Sequence, residues 1–419
     1  MLGRRTYAAI IGGELVLSFG LLAWDVARFD WLWGYDAFAN WLYADVVVDD
    51  HRLPSTGESG VWHSPPLWFL LAGLLGRAAA TVGIAPQLAG QLLALTAGLA
   101  LLVLVLLLAR AIWAERRVLH VVALGFAAAS PVLIRASVMY HPETLAAALA
   151  TAGVLIAVRT LRSGPTLLAG AGSGLALGLG VLTRTWVLPV AVAVVVVLAV
   201  GGRRSRAWAP AALCLAALIT VTAPWFVNQQ LAHGSALAFN RAAPEGSIVT
   251  RRPASFWFGP QVLEMFDTPH APYARNQVAP QLYADWWGDY WLVWGDETVD
   301  AAAPSRVRQS WLGLLPTIFG LGGIVALALL AVARRDAALA LLPATALALA
   351  AGFVLFQLRY PFPDGDTIKA TYLLIALPAL ALGAAFAADV LSRRSRAAGI
   401  ALAAATVVLV ASEIEFLLL

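Results

Sequence analysis

Residues 87–110 read QLAGQLLALTAGLALLVLVLLLAR, with no charge before Arg110. As helix, at about 1.5 Å per residue, the stretch covers about 36 Å. That is enough to cross a hydrocarbon core of about 30 Å. Similar apolar runs recur near residues 7–24, 118–134, 142–159, 166–182, 185–201, 207–226, 310–332, 337–357, 370–389 and 397–416. Together they make about eleven spanning helices. The alternation of a β-barrel strand is absent, so helices must satisfy the backbone in lipid. The expected fold is an all-α integral membrane protein, a single polytopic domain over residues 1–419 with interfacial helices and a modest outer cap. Two connections are long: a first outer loop at 25–86 and a second at 228–309. Connections of this length are uncommon unless they fold or function.

Composition agrees. Only 12% of residues are charged and 61% are hydrophobic, whereas a soluble domain carries roughly 25% charge. The 28 basic residues comprise a single lysine, Lys369, and otherwise arginines. The arginines sit in short clusters between apolar runs, a poor pattern for binding nucleic acid. Cys214 is the only cysteine, which excludes an intrachain disulfide and a cysteine metal cluster. The first apolar run follows Arg4 and Arg5 and has no small-residue cleavage site after it, so it reads as a retained signal anchor.

The arginines also give the expected sidedness. With the N-terminus in the cytoplasm, 15 of the 28 basic residues fall in six short cytoplasmic segments, and 20 of the 24 acids fall outside or at the outer lip. This follows the positive-inside rule. It places both long connections and the C-terminus outside. Residues 65–80 are read as an interfacial or partly inserted helix, because counting them as a span would invert every later loop against the arginines.

The first outer loop contains WGYDAFANWLYAD, residues 33–45, an amphipathic helix at the membrane surface. Asp36 stands at its start, as an N-cap or as a base held near the bilayer. Next come Arg52-Leu53-Pro54 and then Trp62-His63-Ser64-Pro65-Pro66-Leu67-Trp68. The turn after the third run reads Ser130-Pro131, then Arg135, then His141-Pro142-Glu143. A carboxylate in a first helical turn is favoured by the helix dipole, so Glu143 has a structural reading beside a functional one. A glycine-rich helix from Gly174 ends in Leu182-Thr183-Arg184, and Pro224-Trp225 precedes the second outer loop. That loop carries Ala284-Asp285-Trp286-Trp287-Gly288-Asp289, where tryptophans suit either sugar stacking or interface anchoring. Lys369-Ala370-Thr371-Tyr372-Leu373-Leu374 opens the tenth run, with Arg359 and Tyr360 nearby. Glu14, inside the first run, is an intramembrane acid and so a functional candidate or a buried structural acid.

These motifs, in this order, resemble the polyprenyl-phosphate-dependent GT-C glycosyltransferases, in particular bacterial relatives of protein O-mannosyltransferases and the aminoarabinose transferases. The resemblance implies that Asp36 is the catalytic base, with Asp25 and Asp30 as near rivals, and that Glu143 is a second catalytic acid. It implies phosphate binding by Lys369, Arg184, Arg359 and Tyr372. It implies substrate binding by His141, Arg135, His63, Trp287 and Asp289. Set side by side, the two carboxylates and the imidazole of Asp36, Glu143 and His141 could hold a divalent metal or position an acceptor hydroxyl, and no organic cofactor is expected. The expected partners are a polyprenyl-phosphate-linked sugar donor, a glycan, lipid or protein acceptor, and membrane lipids. The expected place is a bacterial plasma (inner) membrane, with an inverting transfer on the outer face. The family usually has His directly before Pro-Pro; Ser64 intervenes here. Two other readings are a secondary transporter or flippase, which predicts inverted repeats and broken helices near mid-membrane, and a non-catalytic glycan-assembly scaffold.

Overall fold

A computed structural model describes residues 3–164, 166–205, 208–238, 252–294, 299–360, 365–395, 397, 408–412 and 414. Of the described residues 77% are helical, and none is in a strand. Helix α1 (Arg4–Arg28) enters the bundle, and a 3-10 turn at Trp31–Trp33 leads to α2 (Ala37–Asp49) and α3 (Leu67–Ala80). Then follow α4 (Pro86–Ile112), α5 (Arg117–Ala128), α6 (Pro131–Val138), α7 (Glu143–Ser163), α8 (Leu167–Thr183), α9 (Val187–Ser205) and α10 (Ala209–His233). The second long connection holds α11 (Ala254–Phe258), α12 (Glu264–Asp267), α13 (Val278–Trp287) and α14 (Val299–Leu312). Helices α15 (Leu314–Arg334) and α16 (Ala337–Arg359), a 3-10 turn at Ala370–Ala376 and α17 (Leu377–Arg394) complete the described bundle.

Seven helices among the described residues are long and apolar enough to cross a membrane, and the bent pair α5–α6 makes an eighth. Helices α8 and α9 are apolar but shorter. The expected run at 397–416 lies mostly outside the described residues. The expected continuous span at 118–134 is corrected: α5 and α6 meet at 57°. Pro131 is the physical cause, since it has no N–H to continue the helix and forces the preceding residue out of the helical region; Ser130 is extended. Helix α3, with 14 residues, covers about 21 Å and packs on α2 and α4.

Small residues bring the helices together. A Cβ on Gly174 would overlap the backbone of Cys214, so α8 and α10 touch backbone to backbone. Gly323 of α15 meets Gly383 of α17 in the same way. Without a hydrophobic drive between helices in lipid, such close packing supplies the attraction. The largest core lies between α4, α5, α7, α9, α16 and α17. Both long connections fold over one end of the bundle, where Phe29 packs edge-on against Trp294, 4.8 Å between ring centres. The opposite end carries Arg162 paired with Asp336 at 2.8 Å and Arg116 paired with Asp389. Glu14 lies against Gly125 and lines an apolar cavity of about 360 Å³ with Phe126, Trp287 and Phe319.

Candidate active site

Asp36 begins α2 in the left-handed backbone region, φ 51° and ψ 19°. A short polar residue tolerates that conformation better than most. Its side chain makes no capping hydrogen bond, and only its backbone oxygen receives Asn40 N–H, at 2.7 Å. The N-cap reading therefore does not account for the carboxylate. Asp36 Oδ2 instead meets Lys369 Nζ at 3.3 Å, with the acid side chain 42% exposed and the lysine 13%. The ammonium also lies over the ring of Tyr35, 4.9 Å from its centre, a cation–π contact.

A second ion pair completes the cluster. Arg184 ends α8 and turns inward, its side chain 10% exposed. Its Nε lies 2.9 Å from Oε1 of Glu143, which is wholly buried at the start of α7. Arg184 Nη1 donates to Ser64 Oγ at 3.0 Å, and Nη2 approaches His141 Nε2 at 3.4 Å. Ser64, which separates His63 from the prolines, thus takes the contact, and its carbonyl accepts the Tyr43 hydroxyl at 2.8 Å. His63 is half-buried, and its Nδ1 has no hydrogen-bond partner.

These charges act on one another. Lys369 holds the Asp36 carboxyl down to about 2 against the effect of burial, with His141 and Arg184 adding to the pull. Burial opposes the Lys369 charge, but Tyr372 and Asp36 outweigh it and keep the ammonium above its ordinary value. Burial pushes the His63 imidazole down to about 4, Arg184 pushes the same way, and Asp36 opposes. Burial, then Arg184, holds His141 well below the usual histidine range. Both imidazoles are neutral near pH 7, able to accept or donate one hydrogen bond at each nitrogen.

The remaining sequence candidates sit around this cluster. Tyr372 stacks on Trp186, 5.0 Å between ring centres. Arg359 ends α16; two residues earlier Gln357 donates to the Thr367 carbonyl at 3.0 Å, which ties the end of α16 to the segment that leads into Lys369. Arg135 and Asp289 belong to a buried network behind the cluster. Arg135 Nη2 donates to the Asp285 carboxylate at 2.8 Å and to its carbonyl at 2.6 Å. Asp289 lies 3.6 Å from both Arg135 and Arg306 and accepts the Val293 and Trp294 amides. The Trp287 indole donates to Thr317 at 2.6 Å and packs under Gly313. These three candidates lock the second outer connection onto α6 and α15; Arg135 also reaches the Asp36 cluster through the Tyr35 ring, 5.9 Å from its centre, and through the Asp285 carboxylate that it shares with the Tyr35 hydroxyl. Asp25 is buried in α1, and Asp30 caps the 3-10 turn at Trp31–Trp33 through the Leu32 amide, at 2.9 Å. Sequence reasoning missed Ser64, Tyr35, Asp285 and Arg306; Ser64 meets Arg184 120 residues away and Tyr35 meets Asp285 250 residues away, while Arg306 shows itself through Asp289 in the same connection.

The expected metal set of Asp36, His141 and Glu143 does not fit a divalent ion. Each acid already faces a cation, Asp36 against Lys369 and Glu143 against Arg184. Among the described residues no group of three or more His, Cys, Asp or Glu stands close enough to hold a metal.

No family model matches the sequence, and no curated protein matches it. Solved structures do match in fold. ArnT from Cupriavidus metallidurans bound to undecaprenyl phosphate superposes with a TM-score of 0.51 at 18% identity, over 93% of this chain and 61% of that one. The Archaeoglobus fulgidus oligosaccharyltransferase in complex with Zn and sulfate gives a TM-score of 0.55 at 15% identity, over 95% of this chain and 52% of that one. The oligosaccharyltransferase AglB from Archaeoglobus fulgidus, in complex with an inhibitory peptide and a dolichol-phosphate, gives a TM-score of 0.51 at 12% identity, over 97% of this chain and 55% of that one. The chain spans half to three-fifths of the length of these structures. The bundle described above thus shares its fold with these solved membrane proteins, ArnT and the archaeal oligosaccharyltransferase.

Proposed function

We propose that the protein transfers a sugar from a polyprenyl-phosphate carrier to an acceptor on the outer face of the membrane. The contact between Asp36 and Lys369 carries this reading. It joins a proton acceptor and a phosphate-binding cation in one partly open place, beside Arg184. The solved structures of like fold, which include undecaprenyl phosphate and dolichol-phosphate complexes, support it. So does the collection of arginines at the other end of the bundle.

In the proposed reaction Asp36 accepts the acceptor's proton as its nucleophilic atom attacks the anomeric carbon. The bond from that carbon to the phosphate oxygen breaks, the electron pair leaves with the polyprenyl phosphate, and the configuration inverts. Lys369 and Arg184 stabilise the negative charge that grows on the leaving phosphate. Lys369 would meet the phosphate as a point charge and Arg184 through its planar fork. A carboxylate held near 2 is ionised but a weak base. When Lys369 turns toward the phosphate, Asp36 loses its main counter-charge and becomes more basic at the moment it is needed. Glu143 keeps Arg184 aimed, and His141 and His63 line the acceptor side as neutral hydrogen-bonding groups.

The test is transfer by purified protein supplied with a panel of polyprenyl-phosphate hexoses and pentoses. Asp36→Asn is expected to lower turnover by roughly 10²–10⁴-fold. Near-wild-type transfer by that variant would overturn the assignment.

A further inference from the structure

Asp36 and Lys369 both stand on irregular backbone. Asp36 is left-handed, and Lys369 is extended, φ −118° and ψ 128°, just before the 3-10 turn at Ala370–Ala376. Each stands just outside a helical segment, joined to it through its carbonyl alone, yet the pair they form needs a fixed separation. The residues beside them supply it. Tyr35 precedes Asp36, and its hydroxyl donates to Asp285 Oδ1 at 2.8 Å. Ala370 follows Lys369, and its backbone N–H donates to Asp285 Oδ2 at 2.6 Å. The two oxygens of one buried carboxylate thus tie together chain segments 333 residues apart. The Tyr35 ring adds a third link, since its face lies under the Lys369 ammonium.

We propose that Asp285 is a positioning residue for this site: its carboxylate clamps Tyr35 and Ala370 and so sets where Asp36 and Lys369 meet. The donor set explains the residue type. Tyr35, Ala370 and Arg135 all present N–H or O–H groups to Asp285. An ionised carboxylate accepts all three, whereas an amide has one oxygen and would turn its own N–H groups against a donor. Arg135 supplies the counter-charge at 2.8 Å and also holds the Asp285 and Gly288 carbonyls, so α13 cannot pivot without breaking the clamp. This proposal rests on the transferase reading and names a residue that acts on the site through Tyr35 and Ala370 rather than by touching substrate.

The test uses the full chain in detergent or nanodiscs, with undecaprenyl phosphate as the probe and its affinity as the readout. Tyr35→Phe keeps the ring under Lys369 and every charge, and removes only the hydroxyl arm. Asp285→Asn removes the clamp. Tyr35→Phe is expected to weaken binding roughly 3-fold and Asp285→Asn about 10-fold, since small displacements of a positioned group carry losses of this order. Each change is then repeated in a Lys369→Met background. A residue that acts through Lys369 has little left to disturb there, so both effects should shrink below about 2-fold. Effects that persist undiminished in that background, or Asp285→Asn and Tyr35→Phe proteins that bind as wild type, overturn the clamp and leave the transferase reading standing. If Asp285→Asn fails to elute as a folded species, the Tyr35→Phe pair of measurements decides alone. Wild-type protein that ignores undecaprenyl phosphate overturns both the clamp and the transferase reading.

Discussion

Lys369 is the single lysine of the chain, and it stands against Asp36 rather than reaching for solvent. Its replacement has a definite signature. In Lys369→Met the Asp36 carboxyl loses the charge that holds it near 2 and moves toward its ordinary value of 3.8. The base form is the deprotonated one, so the acid limb of kcat/KM should move to higher pH, with turnover falling roughly 10²-fold from the lost phosphate contact. A pH–rate profile taken from about pH 2 upward reads the change, since both limbs lie between that value and the ordinary carboxylate range, and an acid limb that stays put would show that the lysine does not govern Asp36. Arg184 is not interchangeable with lysine, because it serves Glu143, Ser64 and His141 at once. Arg184→Leu leaves a buried carboxylate unpaired, a change of about 3–5 kcal/mol. The detergent-solubilised variant should melt well below wild type. Arg184→Leu combined with Glu143→Leu should recover part of that loss.

At the scale of elements, the helices were legible because lipid demands long apolar runs. Residues 87–110 sit within α4, and 337–357 within α16. The break at Ser130–Pro131 was signalled by the proline, but its 57° bend was not, because a proline in a spanning helix can be accommodated without one. Helix α10 likewise runs past the expected end at 226 to His233, through Pro224. The glycine-rich reading of α8 has its physical counterpart in the backbone contacts to α10. Gly174→Leu should force the two helices apart by at least a side-chain radius. A loss of about 1–3 kcal/mol or more is expected, visible as a lower melting temperature and a broadened gel-filtration peak. Leucine at Gly12, which has open space around it, should change neither and serves as the control.

For the whole molecule, the sequence showed which residues could share a place, but not the place itself. Asp36, Glu143 and Lys369 were singled out by type and order, and the fold puts them around Arg184 and the Asp36–Lys369 contact. Arg135, Trp287 and Asp289 matched motifs equally well, yet lie in the struts behind the cluster. Nothing local distinguishes an arginine that faces substrate from one that ties two loops together; only the partner, 150 residues away, does. Sidedness is testable directly. A cysteine placed at exposed Thr56 should react with an impermeant maleimide added outside whole cells, and one placed at exposed Glu115 only after the membrane is opened. Native Cys214 is fully buried and should stay silent. The reverse pattern would turn the molecule over and move the proposed chemistry to the cytoplasm.

The strut from Arg135 to Asp285 also bears on how the chain is made. Ribosomes add roughly 5–20 residues per second, so the 150-residue separation leaves Arg135 without its counter-ion for about 8–30 s. During that interval α6 carries a guanidinium that lipid rejects. Final seating of the nascent α6 must therefore wait for the later loop, which makes assembly of this end a post-insertional event and a point at which quality-control proteases could intervene.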